Sequence, residues 1–125
     1  MMKGIGRVVF ALLLGLPMGA QDIAGDWQGT LKAGTAELHG VLHITKDKEG
    51  GLHAILDSVD QGILGIPIDS VTLKDTKLHI HSAALNGDYD GTVSSDGQSI
   101  TGAWKQEGIS LPVDLRRLAS KNAPR

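Results

Sequence analysis

AELHGVLHIT, residues 36–45, decides the fold of this chain. On an extended backbone Leu38, Gly40, Leu42 and Ile44 fall on one side and Glu37, His39, Val41 and His43 on the other. That alternation is the period-two pattern of a strand with one buried face. A helix would need apolar residues every three to four positions, and nothing beyond the amino-terminal segment keeps that spacing for three turns.

Working outward, KDKEGG (46–51) reads as the turn that folds this strand back on LHAILDSV (52–59). IDSVTL (68–73) and KLHIHS (77–82) follow, joined by the tight turn KDT, with Leu78 and Ile80 on the inward face and His79 and His81 on the outward one. DYDGTVS (88–94), the turn SDGQ, SITGAWKQ (99–106), the turn EG and ISLPVDLRR (109–117) complete the series, and IAGDWQGTLK (23–32) leads it. The expectation is an all-β, antiparallel, up-and-down meander of about eight short strands, closed into a barrel or half-open barrel. Leu38, Leu42, Leu56, Ile80 and the tryptophans are its expected interior.

One pattern recurs within these strands. Gly25 stands two residues before Trp27, Gly87 before Tyr89 and Gly102 before Trp104, and these rings are the only tryptophans and the only tyrosine of the chain. Glycine lets a strand bend sharply, and a ring can cover the backbone that glycine leaves bare. Gly29 beside Trp27 and Gly91 beside Tyr89 are the expected partners, with Trp27 and Trp104 brought together as a plug at one barrel end.

The 125 residues begin with MMKGIGRVVFALLLGLPMGA, in which Lys3 and Arg7 precede an apolar run over residues 8–16 and small residues lead to Ala20. Residues 1–20 therefore read as a secretory signal peptide, residues 21–118 as one β-barrel-like domain and residues 119–125 as a polar tail. The expected location is periplasmic or secreted, without stable membrane insertion after cleavage. With no cysteine, the exported chain folds without disulfides and carries no lipid-anchored cysteine. A formal net charge of −2 with interspersed signs offers no basic stripe, so nucleic acid is not an expected partner.

The G-x-W start at Gly25 and Trp27 is similar to that of lipocalins and avidins, which implies a calycin-like barrel. A longer resemblance covers residues 23–117: GDWQGTL, LHGVLHITK, DSVDQGILGIPIDSVTL, NGDYDGTVSSDGQSITGAWKQEG and LPVDLRR. Together these look like the small β-rich module that follows the signal peptide in many secreted bacterial α/β-hydrolases and also occurs alone. The resemblance implies an accessory module whose possible partner is a hydrolase domain, in cis or in trans.

Catalytic parts are sparse. There is no G-x-S-x-G elbow, and the serine of EGISLP lies in an expected strand, where it lacks the turn that would expose it. His79 and His81, two apart on a strand, are the weak candidates for a metal pair, and His53 is placed to pair with His43 across a hairpin. Asp88 and Asp90 share the face opposite the Tyr89 ring, a pair of the kind that binds calcium or moves protons. The alternative to a binding module is the amino-terminal portion or remnant of a secreted serine hydrolase, or a small metal-binding enzyme. The expectation is a non-catalytic chain with no cofactor.

The segment SVDQGILGIPID (58–69) is the place to look for function. It reads as an irregular connection, yet it carries Ile63, Leu64 and Ile66 next to Asp60, Gln61 and Pro67, more aliphatic surface than a solvated loop normally shows. It is expected to plug the barrel, to cover a cavity for a small apolar ligand, or to dock a partner. With Trp27 and Trp104 these residues form the candidate binding set.

Overall fold

The computed structural model describes residues 22–119. The signal segment expected over 1–20 and almost all of the tail expected over 119–125 lie outside the described residues. Nine strands follow one another: β1 (Gly25–Ala33), β2 (Ala36–Lys46), β3 (Leu52–Ser58), β4 (Ile63–Pro67), β5 (Ser70–Lys74), β6 (Lys77–Ser82), β7 (Gly87–Val93), β8 (Ser99–Gln106) and β9 (Ile109–Arg117). The described residues hold no helix.

All nine join one antiparallel sheet in the order β4-β3-β2-β1-β9-β8-β7-β6-β5. Each strand but β4 and β5 pairs with its chain neighbours, and the first strand also pairs with the last at Trp27–Arg117, Gln28–Arg116 and Gly29–Leu115. The sheet thus curls into a half-barrel, consistent with a calycin-like open barrel, whose seam lies between β4 and β5.

The seam corrects the reading of one segment. Residues 58–69 are not a plain irregular connection, since Ile63–Pro67 forms a strand on the β3 edge. β4 is antiparallel to β3 and β5 is antiparallel to β6, and only Ile68 and Asp69 separate the two. They run in the same direction, as two halves of one extended segment that pairs first with β3 and then with β6. Ser82 Oγ, fully buried, donates to Pro67 O at 2.9 Å, and Asp69 N donates to His81 O at 2.8 Å, which pins the crossing point.

The alternation read from the sequence holds along the strands that carry it. Leu42 and Ile44 of β2 and Leu78 and Ile80 of β6 are buried, together with Ile23, Trp27, Val71, Tyr89, Val93, Ile100 and Leu115. Leu38 and Leu56 are only half-buried, because they face a space that the core does not fill.

The glycine–aromatic pairings are partly redistributed. Tyr89 does cover Gly91 and extends to Gly102, as its hydroxyl donates to Val113 O at 2.8 Å. Gly29, however, is approached by Leu115 and Val113 of β9 and not by Trp27, while the Trp104 ring covers Gly87 on the next strand. At Gly29 and Gly87 cross-strand neighbours take the space, whereas at Gly91 the ring of the same strand does.

Candidate functional site

The two tryptophans stand at opposite ends, which overturns the single plug. Trp27 pairs with Arg117 and Trp104 with Leu111, six positions apart along β9 and so about 20 Å at the rise of a strand. Trp27 is fully buried, and its indole N–H donates to Ile23 O at 2.9 Å. The Arg117 guanidinium lies 4.4 Å from the ring centroid and donates to Ala24 O, Asp22 O and Gly97 O at 2.9, 2.9 and 3.1 Å. This end is closed.

Beyond Trp27 the inward face of β1 continues through Gly29 and Leu31 into a cavity of about 350 Å³. Its wall is largely aliphatic, with Leu38, Leu42, Leu56, Ile80 and Leu115 among the lining residues, and Trp104 and Tyr89 add aromatic surface. Trp104 is half-buried there, its indole N–H donating to Gln106 Oε1 at 2.8 Å, while Gln106 Nε2 donates to Leu85 O at 2.8 Å. Burial pushes the Tyr89 phenol well above its ordinary range, so it stays a neutral donor. A concave, apolar space with few polar groups is the usual form of a small-molecule site, and this volume falls at the small end of that class.

Of the residues singled out in 58–69, Gln61 and Ile66 reach the cavity, as does Ile68 just beyond. Ser58, buried, donates to Gln61 Oε1 at 2.6 Å and orients that amide. Asp60 is turned away, 2.9 Å from His39 Nδ1. Ile63 is 47% exposed and Leu64 74%, and Pro67 is exposed too, so these side chains fill nothing inside. The binding set therefore divides between a cavity wall (Gln61, Ile66, Trp104) and an outer surface (Asp60, Ile63, Leu64, Pro67), and Trp27 belongs to neither.

The histidines form cross-strand ladders with aspartates on the outer face. His43 of β2 lies between two carboxylates, Nδ1 at 2.8 Å from Asp26 Oδ1 on β1 and Nε2 at 2.7 Å from Asp57 Oδ2 on β3. Hydrogen bonds donated to Asp57 and then to Asp26 raise the His43 pKa above its ordinary value. Asp57 is held low, first by the Gly65 N–H that donates to its Oδ1 at 2.8 Å and next by His43. His53 does not pair with His43: it sits opposite Thr45 and turns to Asp47 at 2.8 Å.

The second ladder joins the expected metal pair to the expected carboxylate pair. His79 lies 2.6 Å from Asp90 and 3.1 Å from Asp88, and His81 lies 3.0 Å from Asp88. The hydrogen bond from His79 is the main cause that holds Asp90 below the usual carboxylate range. Both nitrogens of His79 are thus directed at carboxylates instead of at a shared point with His81. Among the described residues no group of three or more His, Asp or Glu side chains is arranged to hold a metal ion.

No sequence signal announced His43 and Asp57 as a unit, since the contact runs diagonally between adjacent strands and depends on register. No family model matches the chain, and no curated protein matches it.

Proposed function

We propose that the protein is an exported, non-catalytic β module that holds a small, largely apolar molecule in its barrel, as an accessory to a secreted α/β-hydrolase. The observation that carries the reading is the 350 Å³ cavity between a closed Trp27 end and a half-buried Trp104, with an aliphatic wall and the Gln61 and Gln106 amides among its few polar groups. A packed core of a domain this small would leave no space of that size. The link to a hydrolase rests on the resemblance carried by residues 23–117.

The test is a titration of residues 21–125 with N-phenyl-1-naphthylamine, an uncharged apolar fluorophore. Saturable binding at one site is expected, weakened about tenfold or more by Leu38→Trp combined with Leu56→Trp, which place two indoles in the cavity, with Tm held within a few degrees. Binding that survives the two indoles would put the probe elsewhere, and absence of binding would sink the ligand reading. Turnover of a chromogenic ester by the same protein would overturn its non-catalytic character.

A second reading, docking of the hydrolase, is favoured by one observation: Ile55, Val59, Ile63 and Leu64 are all exposed on β3, β4 and the turn between them. The backbone of β4 is a poor template for an added strand, because Gly65 has a positive φ (73°) and Pro67 lacks an N–H. A partner would meet the side chains.

A further inference from the structure

We propose that residues 59–67 are a lid over the cavity, anchored where Ser82 holds Pro67 and latched where Asp57 of β3 holds the Gly65 amide of β4, so that a ligand enters and leaves when the latch releases. The proposal rests on the cavity reading above and adds the moving part.

The pairing of β4 is the weakest on that side of the barrel. It meets β3 at Ser58–Ile63, Leu56–Ile66 and Ile55–Pro67, with a register shift between Leu56 and Ser58, and it has no strand on its other flank. β3 itself is fixed to β2 by seven consecutive pairs from Gly40–Ser58 to Lys46–Leu52, so the latch stands on a firm base. Segments with few ladder bonds and little buried apolar surface open far more often than the whole domain unfolds.

Opening this segment would cost little inside. Its large side chains Ile63 and Leu64 already face solvent, and only Ile66 leaves a half-buried position. The same movement would open the cavity, because Gln61 and Ile66 are part of its wall. Gly62 and Gly65, both at positive φ, fall inside the moving stretch, where backbone without a Cβ changes conformation most readily.

Three side-chain ties hold the free part. His39 reaches Asp60 at 2.9 Å, Ser58 Oγ donates to Gln61 Oε1 at 2.6 Å, and Asp57 Oδ1 accepts from Gly65 N at 2.8 Å. The Asp57 tie is the best supported one. Its other oxygen faces His43, which in turn faces Asp26, so the carboxylate that grips β4 is fixed by a chain running back across β2 to β1. At the far end Ser82 Oγ and Asp69 N keep residues 67–69 on β6, which makes that end the anchor.

The experiment follows the Gly65 amide by NMR hydrogen exchange and the probe by stopped-flow fluorescence, in wild type and Asp57→Ala. Freeing the latch should speed Gly65 exchange about tenfold while amides of β7 and β8 keep their rates. On- and off-rates for N-phenyl-1-naphthylamine should both rise, about fivefold or more, because releasing the latch speeds passage in both directions. Unchanged Gly65 exchange, or acceleration of all strands alike, overturns the lid. So do unchanged probe rates in a chain whose Gly65 amide has been freed. A wild type that takes up no probe overturns the cavity reading separately. Should Asp57→Ala not fold, His43→Gln, which removes only the support behind the carboxylate, should move both readouts in the same direction by a smaller factor, and no movement overturns the latch.

Discussion

Trp27 and Trp104 come from the same short pattern, glycine two residues ahead of the ring, and face opposite conditions. At Trp27 the lead-in residue Ile23 and the last strand's Arg117 close over the ring, satisfy its N–H and leave no exposed surface. At Trp104 the ring lies against Gly87, its N–H is met by Gln106 from its own strand, and the cavity adjoins it. The motif supplies a ring beside bare backbone; whether that ring becomes floor or wall depends on what the chain ends bring to it. Closure belongs to the end where the first and last strands meet.

The largest effect expected from this contrast is at the closed end. Trp27→Ala should lower stability by about 3–5 kcal/mol in chemical denaturation, as for other fully buried aromatics, and unfold much of a domain this small. A loss below about 1 kcal/mol would erase the distinction between the ends. Next comes Gly102→Ala, whose new Cβ would press on the backbone of Asp90 and Gly91 and on the Tyr89 hydroxyl. A loss of about 2–3 kcal/mol is expected, since two strands must part to admit it. Trp104→Ala should cost less, about 1–2 kcal/mol for a half-buried ring, yet weaken probe binding about tenfold. Equal losses from both tryptophan variants without a binding change would break the comparison.

A smaller effect concerns pH. The His43 pKa is raised, so its contribution is fully present below its ordinary value of 6.5 and fades as pH rises through the raised value. The Asp57 pKa is lowered, so its contribution is present above the ordinary carboxylate value of 3.8 and fades as pH falls through the lowered one. The groups facing His43 are Asp26 from β1 and Asp57 from β3, and β4 adds only the Gly65 N–H to Asp57. Thermal melts from mildly acidic to alkaline pH should therefore show a shallow decline in wild type that His43→Gln lacks; parallel profiles would remove His43 from the stability of this side. The smallest effect is expected for Ile63→Ser with Leu64→Ser, within about 0.5 kcal/mol at each exposed position. A Tm drop beyond a few degrees would show those side chains to be buried in solution.

Much of the barrel was legible because its strands are half-buried and alternate. Leu42 and Ile44 against His39 and His43, or Leu78 and Ile80 against His79 and His81, leave one reading of which face is inside. β4 was missed for the opposite reason. ILGIP has no alternation, and its Gly65 and Pro67 are residues that normally end strands, tolerated here because one flank has no partner. The location of the two tryptophans could not be read either, because pattern fixes the face of a strand and not its height in the barrel. The His43–Asp57 contact depends on the β2–β3 register, which is set by pairing over many residues.

The seam between β4 and β5 also governs how the chain is strung. Among the described residues every strand pairing but one joins sequence neighbours, and the exception is β1 with β9. Arg117 Nη2 donates to Asp22 O at 2.9 Å and Leu118 N to Asp26 O at 2.9 Å, so the two ends of the barrel's backbone already touch. A circular permutant that links them with a short glycine–serine bridge and begins at Ile68 would be cut where no ladder bonds cross. Every remaining pairing would then be a hairpin. The costly closure of nearly the whole chain would disappear from the folding transition state, and the permutant should fold faster than the parent at little change in native contacts.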